Sequence, residues 1–401
     1  MNRLEQSIGG ICFRSPLVIG SGPLSDRPDL IEQAAACGAG AVSIKQTAWS
    51  ETRPGVRKMY ARKGEYFFNP SDRRLKPEET ARLIRQVKQG TDIPLFVNVL
   101  GNGREEETWA QLGEQMEEAG ADGLELNFAC PNPPAQRDAA GEKLRYGAAL
   151  SQEPELAGDI IRAVVRRVKI PVWVKFSGDG TDTAALCRAA VAAGATGVTA
   201  FCSPRGAFPV DIERGGRPKL ADLSVCSFGG INGPAIRPAS NRVVAEAALA
   251  VPDLPIMGGG GISRAEHVVE TMMYGASLTF LFTQVMLEGF AVLTRLNEQL
   301  EAFMDRHGYE SVEEMRGLAL RYLVPNSELD YRIGRPARVD PGKCRGCGSC
   351  GKIAFCRAIR MEGRTARVQP QLCESCGLCA SLCPFDAIFF DGDRTDGNGG
   401  D

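Results

Sequence analysis

The sequence predicts an α/β protein, namely a (β/α)8 TIM barrel followed by a small cysteine-rich module. Three observations support this fold class. Short apolar runs alternate with amphipathic helical stretches over about 300 residues. Four helix-to-strand junctions repeat a Gly-Ala signature. Eight of the fourteen cysteines fall between Cys344 and Cys383. A chain of 401 residues that is 43% hydrophobic is long enough for both parts.

The candidate strands are apolar on both faces, as expected of parallel strands that are covered by helices on each side. They are residues 16–20, 41–45, 94–99, 123–128, 171–176, 197–201, 255–258 and 278–282. Amphipathic helices are predicted at 77–89, 105–119, 155–168, 182–193, 239–250 and 263–274. Eight such units in about 300 residues fit a TIM barrel. A doubly wound open sheet is the alternative.

The Gly-Ala junctions are the segments "ACGAGAV", "EAGADGL", "AAGATGV" and "YGASLTF". Each places a glycine where a helix ends, because glycine readily adopts the left-handed conformation needed there. The repetition supports a series of βα units. It does not distinguish a closed barrel from an open sheet.

The pattern changes after about residue 305, where 309–323 resembles one more helix and a polar, proline-containing linker follows. The sequence therefore predicts four regions. They are the barrel at 1–305, a helix and linker at 306–340, the cysteine-rich module at 341–390 and a disordered Gly-rich tail at 391–401.

Composition narrows the possible functions. A net charge of -2 gives no broad basic field for nucleic acid or anionic lipid. The sequence shows neither a secretory leader nor an apolar run long enough to span a membrane, so we expect a cytoplasmic protein. We also expect an oligomer. His267 and His307 are the only histidines, so proton transfer must use other side chains.

The cysteine-rich module has the spacing of a ferredoxin. Two runs of three cysteines at x2 spacing each have a more distant fourth cysteine, and the second run ends in Cys383-Pro384. In two-cluster ferredoxins the fourth cysteine of each run ligates the other [4Fe–4S] cluster. We therefore assign two tetrads, and structural zinc is the alternative. One tetrad is Cys344, Cys347, Cys350 and Cys383, and the other is Cys356, Cys373, Cys376 and Cys379.

Clusters carry single electrons, so the barrel should hold a flavin that converts them into a two-electron reaction. TIM barrels commonly bind a phosphate at the loops after strands seven and eight. Here "GGGGIS" (258–263) and "FLFTQVM" (280–286) lie at those positions, and "FGGINGPAIRP" (228–238) adds a third loop. Lys45 and Lys175 end two strands, where they could lie along a reduced flavin. No G-x-G-x-x-G opens a helix after a strand, so we expect no nicotinamide-nucleotide site.

These features resemble the class 1 dihydroorotate dehydrogenase and dihydropyrimidine dehydrogenase superfamily. The resemblance is greatest to the catalytic subunits of bacterial NAD-dependent dihydropyrimidine dehydrogenases, and it covers nearly the whole chain. It is most specific in "NFACPN", "FGGINGPAIRP", "GGGGI" and "VPNSELD". The resemblance implies an FMN-binding barrel, two [4Fe–4S] clusters, and a partner that is either an FAD- and NAD(P)H-binding subunit or a ferredoxin.

The resemblance also implies roles for individual residues. Cys130 would give a proton to, or take one from, a ring carbon next to the carbon that exchanges hydride with the flavin. A thiol suits this task because it is mostly protonated near neutral pH. The implied FMN-binding residues are Ser21, Gly22, Lys45, Lys175, Gly230, Gly233, Gly260, Gly261 and Thr283. The implied substrate-binding amides are Asn69, Asn127 and Asn132.

The chain departs from the pyrimidine-enzyme pattern at several positions. Cys202 and Ser203 stand where an Asn-Thr pair would contact substrate, and cysteine cannot supply the paired donor and acceptor of an amide. Gln46 replaces a usual threonine. The loop after Cys130 is longer and more basic than expected, which could admit a larger or anionic substrate; its charges are Arg137, Lys143 and Arg145, and Arg205 and Arg214 follow Cys202.

The sequence therefore predicts an oxidoreductase that acts across a C=C bond of a cyclic substrate, most specifically a pyrimidine such as uracil or thymine. A dihydroorotate dehydrogenase is one alternative, and a reductase of a larger or anionic ring is another. A barrel that has lost catalysis and serves only in electron transfer is the non-enzymatic alternative.

Overall fold

The barrel is closed and its strands are all parallel. The structure is a computed structural model that describes residues 2–49, 57–71, 73–130, 147–201, 203–331 and 334–391. The strands pair in the order β6, β7, β8, β1, β2, β3, β4, β5 and back to β6. They are β1 Leu17–Ile19, β2 Ala41–Ala48, β3 Leu95–Leu100, β4 Gly123–Phe128, β5 Val172–Phe176, β6 Gly197–Ala200, β7 Ile256–Gly258 and β8 Leu278–Leu281. Closure confirms the predicted barrel and excludes the open sheet.

Helices cover the outer face of the barrel, and the six predicted ones are confirmed within a few residues at each end. The barrel helices are α1 Pro28–Ala36, α2 Pro77–Gly90, α3 Glu106–Glu118, α4 Pro154–Arg167, α5 Thr183–Ala192, α6 Arg237–Ala250, α7 Ala265–Met273, α8 Thr283–Glu288 and α9 Ala291–His307. None of the helices in the described part of the chain is both long and apolar enough to cross a membrane.

The Gly-Ala junctions work as predicted. Gly120 ends α3 with a φ of 100°, and Gly194 follows α5 with a φ of 93°. In both places the chain turns directly from the helix into the next buried strand. These positions favour glycine because other residues rarely adopt such a φ.

The inside of the barrel changes from apolar to polar along its axis. At the amino-terminal end of the strands, Phe96 and Trp173 pack edge to face with ring centroids 5.9 Å apart. Phe13, from a hairpin of Gln6–Ile8 with Ile11–Phe13, stacks on Phe96 and closes this end. Further along the same strands the alternation of side chains brings polar groups to the axis. The next inward position on β3 is Asn98, and on β5 it is Lys175.

The long connecting segments that follow β2 and β6 form a four-stranded antiparallel sheet, which we call the side sheet. Its strands are ordered Arg205–Gly206, Gly229–Asn232, Tyr66–Ser71 and Lys58–Arg62. Both connecting segments begin at the carboxyl ends of their barrel strands, which is the end where TIM-barrel enzymes bind their substrates.

The segment 309–323 does not form the predicted helix. It forms two short 3-10 turns, Val312–Met315 and Leu320–Tyr322, separated by Gly317 at a φ of 74°. Its backbone groups bond to the barrel instead, since Gly317 N–H donates to Met272 O and Ala319 N–H donates to Met273 O. The apolar residues of segment 309–323 therefore reflect packing against the barrel and do not mark one face of a helix.

The chain divides into two compact units, residues 1–323 and 324–401. The second unit contains the hairpin Ile359–Glu362 with Thr365–Val368, the pair Arg338–Val339 with Ile388–Phe389, and the short helix α10 Leu378–Ser381. Its small core is made partly of cysteines, with Cys350 and Cys379 buried beside Ala337, Ala366 and Ile388. The predicted tail after 391 lies outside the described residues.

Candidate active site

A buried carboxylate lies inside the barrel, toward the carboxyl ends of the strands. Glu125 of β4 is 1% exposed. Its Oε2 accepts hydrogen bonds from Ser43 Oγ at 2.7 Å and Asn98 Nδ2 at 2.6 Å, and Lys175 Nζ lies 3.5 Å away. Burial alone would raise the pKa of Glu125, but the Lys175 charge and these donors outweigh it, so the pKa lies below its ordinary value. Glu125 is therefore ionised at neutral pH.

Asn127 connects this carboxylate to Cys130. Its Nδ2 donates to Asn98 Oδ1 at 2.7 Å. Its Oδ1 accepts from the backbone N–H groups of Ala129 and Cys130, at 3.0 and 2.9 Å. The side chain thus caps the turn that leaves β4 and fixes where Cys130 begins.

Cys130 is held from the other side by Gly147. Ala148 N–H donates to Cys130 O at 3.2 Å. A Cβ on Gly147 would lie 2.3 Å from that oxygen and 3.0 Å from Cys130 Cβ, so only glycine fits. Cys130 and Gly147, the described residues on either side of segment 131–146, are therefore in direct contact, and Cys130 is half-buried. Asn132 and the basic loop residues of that segment lie outside the described residues.

Lys45 and Gln46 lie at an irregularity in β2. The pairing of β2 with β3 shifts between Ile44 and Thr47, so two residues of β2 oppose the single residue Asn98. Lys45 and Gln46 are both buried. The Gln46 Nε2 has no hydrogen-bond partner among the described residues. A buried amide donor in this condition is suited to a bound polar group.

The side sheet places two predicted residues opposite each other, since Asn69 pairs with Gly230. The Asn69 Oδ1 is buried and accepts no hydrogen bond from the described part of the chain. Ser203 Oγ donates to Asn232 Oδ1, so this hydroxyl is already engaged within the sheet. Cys202 lies outside the described residues.

The predicted phosphate loops come together at the ends of β7 and β8. A Cβ on Gly261 would lie 2.8 Å from Gly233 O, and one on Gly233 would lie 3.6 Å from Thr283 Cγ2. Gly260 adopts a φ of 137° and Gly261 one of 78°. Glycine-rich turns with such backbone conformations are of the kind that binds phosphate. Arg237 borders these turns, since the same Gly261 Cβ would lie 2.9 Å from Arg237 Cβ.

Gly22 follows β1 at the same end of the barrel, and Ser21 precedes it. A Cβ on Gly22 would lie 2.2 Å from the ring of Phe282. Its N–H is engaged by Ser25 Oγ at 3.1 Å. The close approach to Phe282 explains the need for glycine here. Contact of Ser21 and Gly22 with a flavin ring stays a prediction.

Replacing Gly261 with alanine is expected to lower the free energy of unfolding by about 1–3 kcal/mol, because it adds both an unfavourable φ and a clash. Gly289 is a matched control. It has a similar φ of 84°, but a Cβ there would meet nothing within 4 Å. Urea unfolding of both variants measures the difference. Equal losses would show that the close approach of the two loops does not matter for stability.

The eight cysteines of the second unit surround two separate cavities. Cys344, Cys347, Cys350 and Cys383 line one. Cys356, Cys373, Cys376 and Cys379 line the other. Backbone N–H groups point at the sulfurs, with Ala366 N 3.5 Å from Cys344 Sγ and Ala387 N 3.3 Å from Cys383 Sγ. No three potential ligands of the described residues converge on a point suited to one metal ion. A cavity bounded by four cysteines has the ligand set of a [4Fe–4S] cluster.

Comparison with known proteins agrees with this architecture. The sequence profile of the family described as "Dihydroorotate dehydrogenase" matches residues 3–304. The chain belongs to the dihydroorotate dehydrogenase family. A second profile, "4Fe-4S binding domain", matches residues 366–389 in the second unit.

Similar proteins are named either as dihydroorotate dehydrogenase subunits or as dihydropyrimidine dehydrogenase subunits. The Pyrococcus abyssi "Dihydroorotate dehydrogenase B (NAD(+)), catalytic subunit" is 33% identical over 318 residues, covering 79% of this chain and 99% of the relative. The protein of the same name from Methanocaldococcus jannaschii is 30% identical over 320 residues, covering 79% and 98%. The Escherichia coli K12 "NAD-dependent dihydropyrimidine dehydrogenase subunit PreA" is 27% identical over 351 residues, covering 85% and 82%.

The chain is therefore an oxidoreductase of the dihydroorotate and dihydropyrimidine dehydrogenase superfamily with an iron–sulfur domain. Its family binds FMN, and the residues present fit that group. Two buried lysines, Lys45 and Lys175, can face an electron-rich ring. The glycine loops at Gly233 and Gly261 lie in contact at the end of β7, where TIM barrels commonly bind a phosphate.

Sequence reasoning missed the residues that hold the predicted ones in place. Asn98 is the one polar residue of the apolar strand "LFVNVL", and Glu125 is one of two polar residues, with Asn127, in the strand "GLELNF". Glu125 and Asn127 are two positions apart on one strand and share a face, and this alternation could have identified Glu125. Gly147 and Asn232 gave no comparable signal, because their importance comes from partners distant in the chain.

Proposed function

We propose that the protein is an FMN- and iron–sulfur-dependent enzyme that adds or removes two hydrogens across a C=C bond of a cyclic amide, most specifically a pyrimidine. The observation that carries this proposal is the turn at Cys130. Cys130 lies two residues after the end of β4, on the turn that Asn127 caps, in a barrel whose inner face also presents Lys175. A proton donor, a positive charge and polar ring contacts are the groups that such a reaction needs.

When bound, FMN supplies hydride exchange with one ring carbon and single-electron exchange with iron–sulfur clusters. Lys45 and Lys175 would lie along its ring and stabilise negative charge. Gly230, Gly233, Gly260, Gly261 and Thr283 would hold its phosphate. The remaining chemistry belongs to this chain, because Cys130 Sγ gives a proton to the neighbouring ring carbon in reduction and takes it in oxidation.

Substrate recognition would use side-chain amides that have unused hydrogen-bond donors or acceptors. The Asn69 acceptor and the Gln46 donor are buried and lack a hydrogen-bond partner within the described residues. A cyclic amide presents an N–H and a C=O, the groups that an acceptor and a donor of these kinds would bind. Asn132 and Cys202 are further candidates from the sequence. Ser203 is a weaker one, because its hydroxyl already bonds Asn232.

Dihydroorotate oxidation is the second candidate function, favoured by the names of the relatives from Pyrococcus and Methanocaldococcus. The two candidates differ in the ring substituent, since orotate carries a carboxylate that uracil lacks. An anaerobic assay with uracil, dihydrouracil, orotate and dihydroorotate separates them. Turnover of the uracil pair supports the first candidate, turnover of the orotate pair supports the second, and turnover of neither, by a flavin-containing preparation, contradicts both.

We further propose two [4Fe–4S] clusters, one in each cysteine tetrad, with an FAD- and NAD(P)H-binding subunit or a ferredoxin as electron partner. The two cavities support the count. The names of the relatives, a "catalytic subunit" and a "subunit", support an external partner. We expect about eight iron atoms per chain in an anaerobic preparation.

The tetrad assignment makes a prediction about crossed ligation. Replacing Cys356 with serine is expected to perturb the cluster held by Cys373, Cys376 and Cys379, although Cys356 follows the first run in sequence. Cys383→Ser is its matched counterpart and should perturb the other cluster. Electron paramagnetic resonance of the reduced proteins compares them. If Cys356→Ser altered the same signal as Cys347→Ser, the crossed assignment would be wrong.

A further inference from the structure

A continuous chain of hydrogen bonds runs from the ionised Glu125 to the turn that bears Cys130. We propose that Glu125 and Asn98 are positioning residues. They set the orientation of each amide in this series of hydrogen bonds, and the last amide, Asn127, fixes the Cys130 turn. The inference rests on the proposed function only for the role of Cys130 itself. The contacts that form the chain stand independently of it.

The direction of the chain follows from the charge at its start. A carboxylate can only accept hydrogen bonds, so Asn98 must turn its Nδ2 toward Glu125. Asn98 Oδ1 then faces the other way and must receive a donor. Asn127 supplies that donor through its Nδ2. The Asn127 Oδ1 is thereby directed at the backbone N–H groups of Ala129 and Cys130.

This arrangement changes the expected role of Asn127. Its oxygen is used by the turn, and one hydrogen of its Nδ2 is used by Asn98. At most the second Nδ2 hydrogen can reach a ligand. Asn127 therefore cannot offer a substrate ring the paired donor and acceptor of an amide. It transmits the orientation set by Glu125 to the residue that carries the thiol.

Burial prevents water from substituting for any member of the chain. Glu125 and Asn98 are each 1% exposed, and Asn127 is 7% exposed. Reversing one amide would set two acceptors or two donors against each other, in a place where unpaired polar groups are costly. The chain consequently has one stable direction, and the Cys130 turn has one stable position.

Asn98→Asp tests the direction specifically. Two carboxylates at this distance cannot both remain ionised, so the variant pair takes up one proton at low pH. The protonated carboxyl introduced at position 98 then donates to Glu125 and accepts from Asn127, as the native amide does. At high pH the proton is lost and the chain breaks. The other titratable side chains on the inner face are Lys175 on β5, Lys45 on β2 and Cys130 itself. The remaining barrel strands carry none at their described residues.

We expect the ratio of variant to wild-type turnover to be near one at about pH 6 and below about 0.1 at about pH 9. The second readout needs no turnover. The rate at which iodoacetamide alkylates Cys130, followed by mass spectrometry of its peptide in the holoenzyme, should match wild type at low pH and depart from it at least threefold at high pH. Asn98→Leu should depart at every pH.

Thr47→Val is the control for losing a buried hydrogen bond near the site. Its hydroxyl bonds the Thr80 hydroxyl and the Lys45 backbone oxygen, and takes no part in the hydrogen bonds from Glu125 to the Cys130 turn. For this variant, the ratios of variant to wild-type turnover and of variant to wild-type Cys130 alkylation rate should not change with pH. A flat ratio for Asn98→Asp, or wild-type alkylation of Cys130 in Asn98→Leu, would overturn the proposal. Full turnover by Cys130→Ala would instead refute the proposed function, while the alkylation arm would still decide the positioning role.

Discussion

Cys130→Ala is expected to lower turnover by about 10²- to 10⁴-fold, the range that loss of a general acid or base typically costs. The effect should fall on kcat, because the thiol transfers a proton to the ring and supplies little binding energy. Flavin content should stay unchanged, since none of the predicted phosphate or ring contacts is removed. Anaerobic steady-state assays, with the flavin spectrum of the same preparation, measure both quantities.

The control is Cys187→Ala. Cys187 lies buried in α5, and its burial raises the pKa of that thiol to about 12, so it is inert near neutral pH. This variant should keep wild-type kcat per folded molecule. Cys130→Ser is expected to retain more activity than Cys130→Ala, because a hydroxyl can still donate a proton. If alanine and wild type turned over equally, Cys130 would have no role in proton transfer.

Lys175→Met is expected to lower the free energy of unfolding by about 3–5 kcal/mol, because it leaves the Glu125 carboxylate buried without its cationic partner. The loss should shrink as the pH falls. In wild type the pKa of Glu125 is lowered, so its ionisation stabilises the fold above the ordinary carboxyl range and that contribution is lost on acidification. Without Lys175 the pKa should instead rise, so protonation at low pH relieves the unpaired charge.

The double variant Lys175→Met/Glu125→Gln identifies the cause of this loss. If the unpaired carboxylate is responsible, the neutral glutamine should recover most of the lost stability. If instead Lys175 stabilises the protein through bound flavin, the second substitution should recover nothing. Urea unfolding at several pH values, with flavin content recorded for each sample, distinguishes these outcomes.

The sequence predicted the repeating architecture well because the signals for it are local. Each buried strand is an apolar run, each helix is amphipathic, and a glycine such as Gly120 marks the junction. The helix predicted at 309–323 was wrong for the same reason, since a local apolar pattern does not reveal that its backbone bonds to α7 residues rather than to itself.

The site was predicted in part. Motifs identified Cys130, Lys175 and the glycine loops; the structure places Gly233 near Gly261 and Thr283, while their contact with a phosphate stays a prediction. The hydrogen bonds that give these residues their orientation were not predictable. Asn127 was expected to contact the substrate, which stays a prediction, and the structure shows in addition that its oxygen caps the Cys130 turn. Which atom of an amide faces which neighbour depends on contacts between strands that are far apart in sequence.

The sequence by itself determined the eightfold βα repeat, the ferredoxin spacing of eight cysteines and the identity of the thiol. Periodicity and spacing are properties of consecutive residues, so they can be read directly from the chain. Only the tertiary structure decided that the repeat closes into a barrel, that each predicted cysteine tetrad lines a cavity of its own, and that hydrogen bonds connect Glu125 through Asn98 and Asn127 to the Cys130 turn. Each of these depends on contacts between segments that are distant in sequence. Such contacts form only on folding, when buried polar groups must find hydrogen-bond partners and few arrangements provide them.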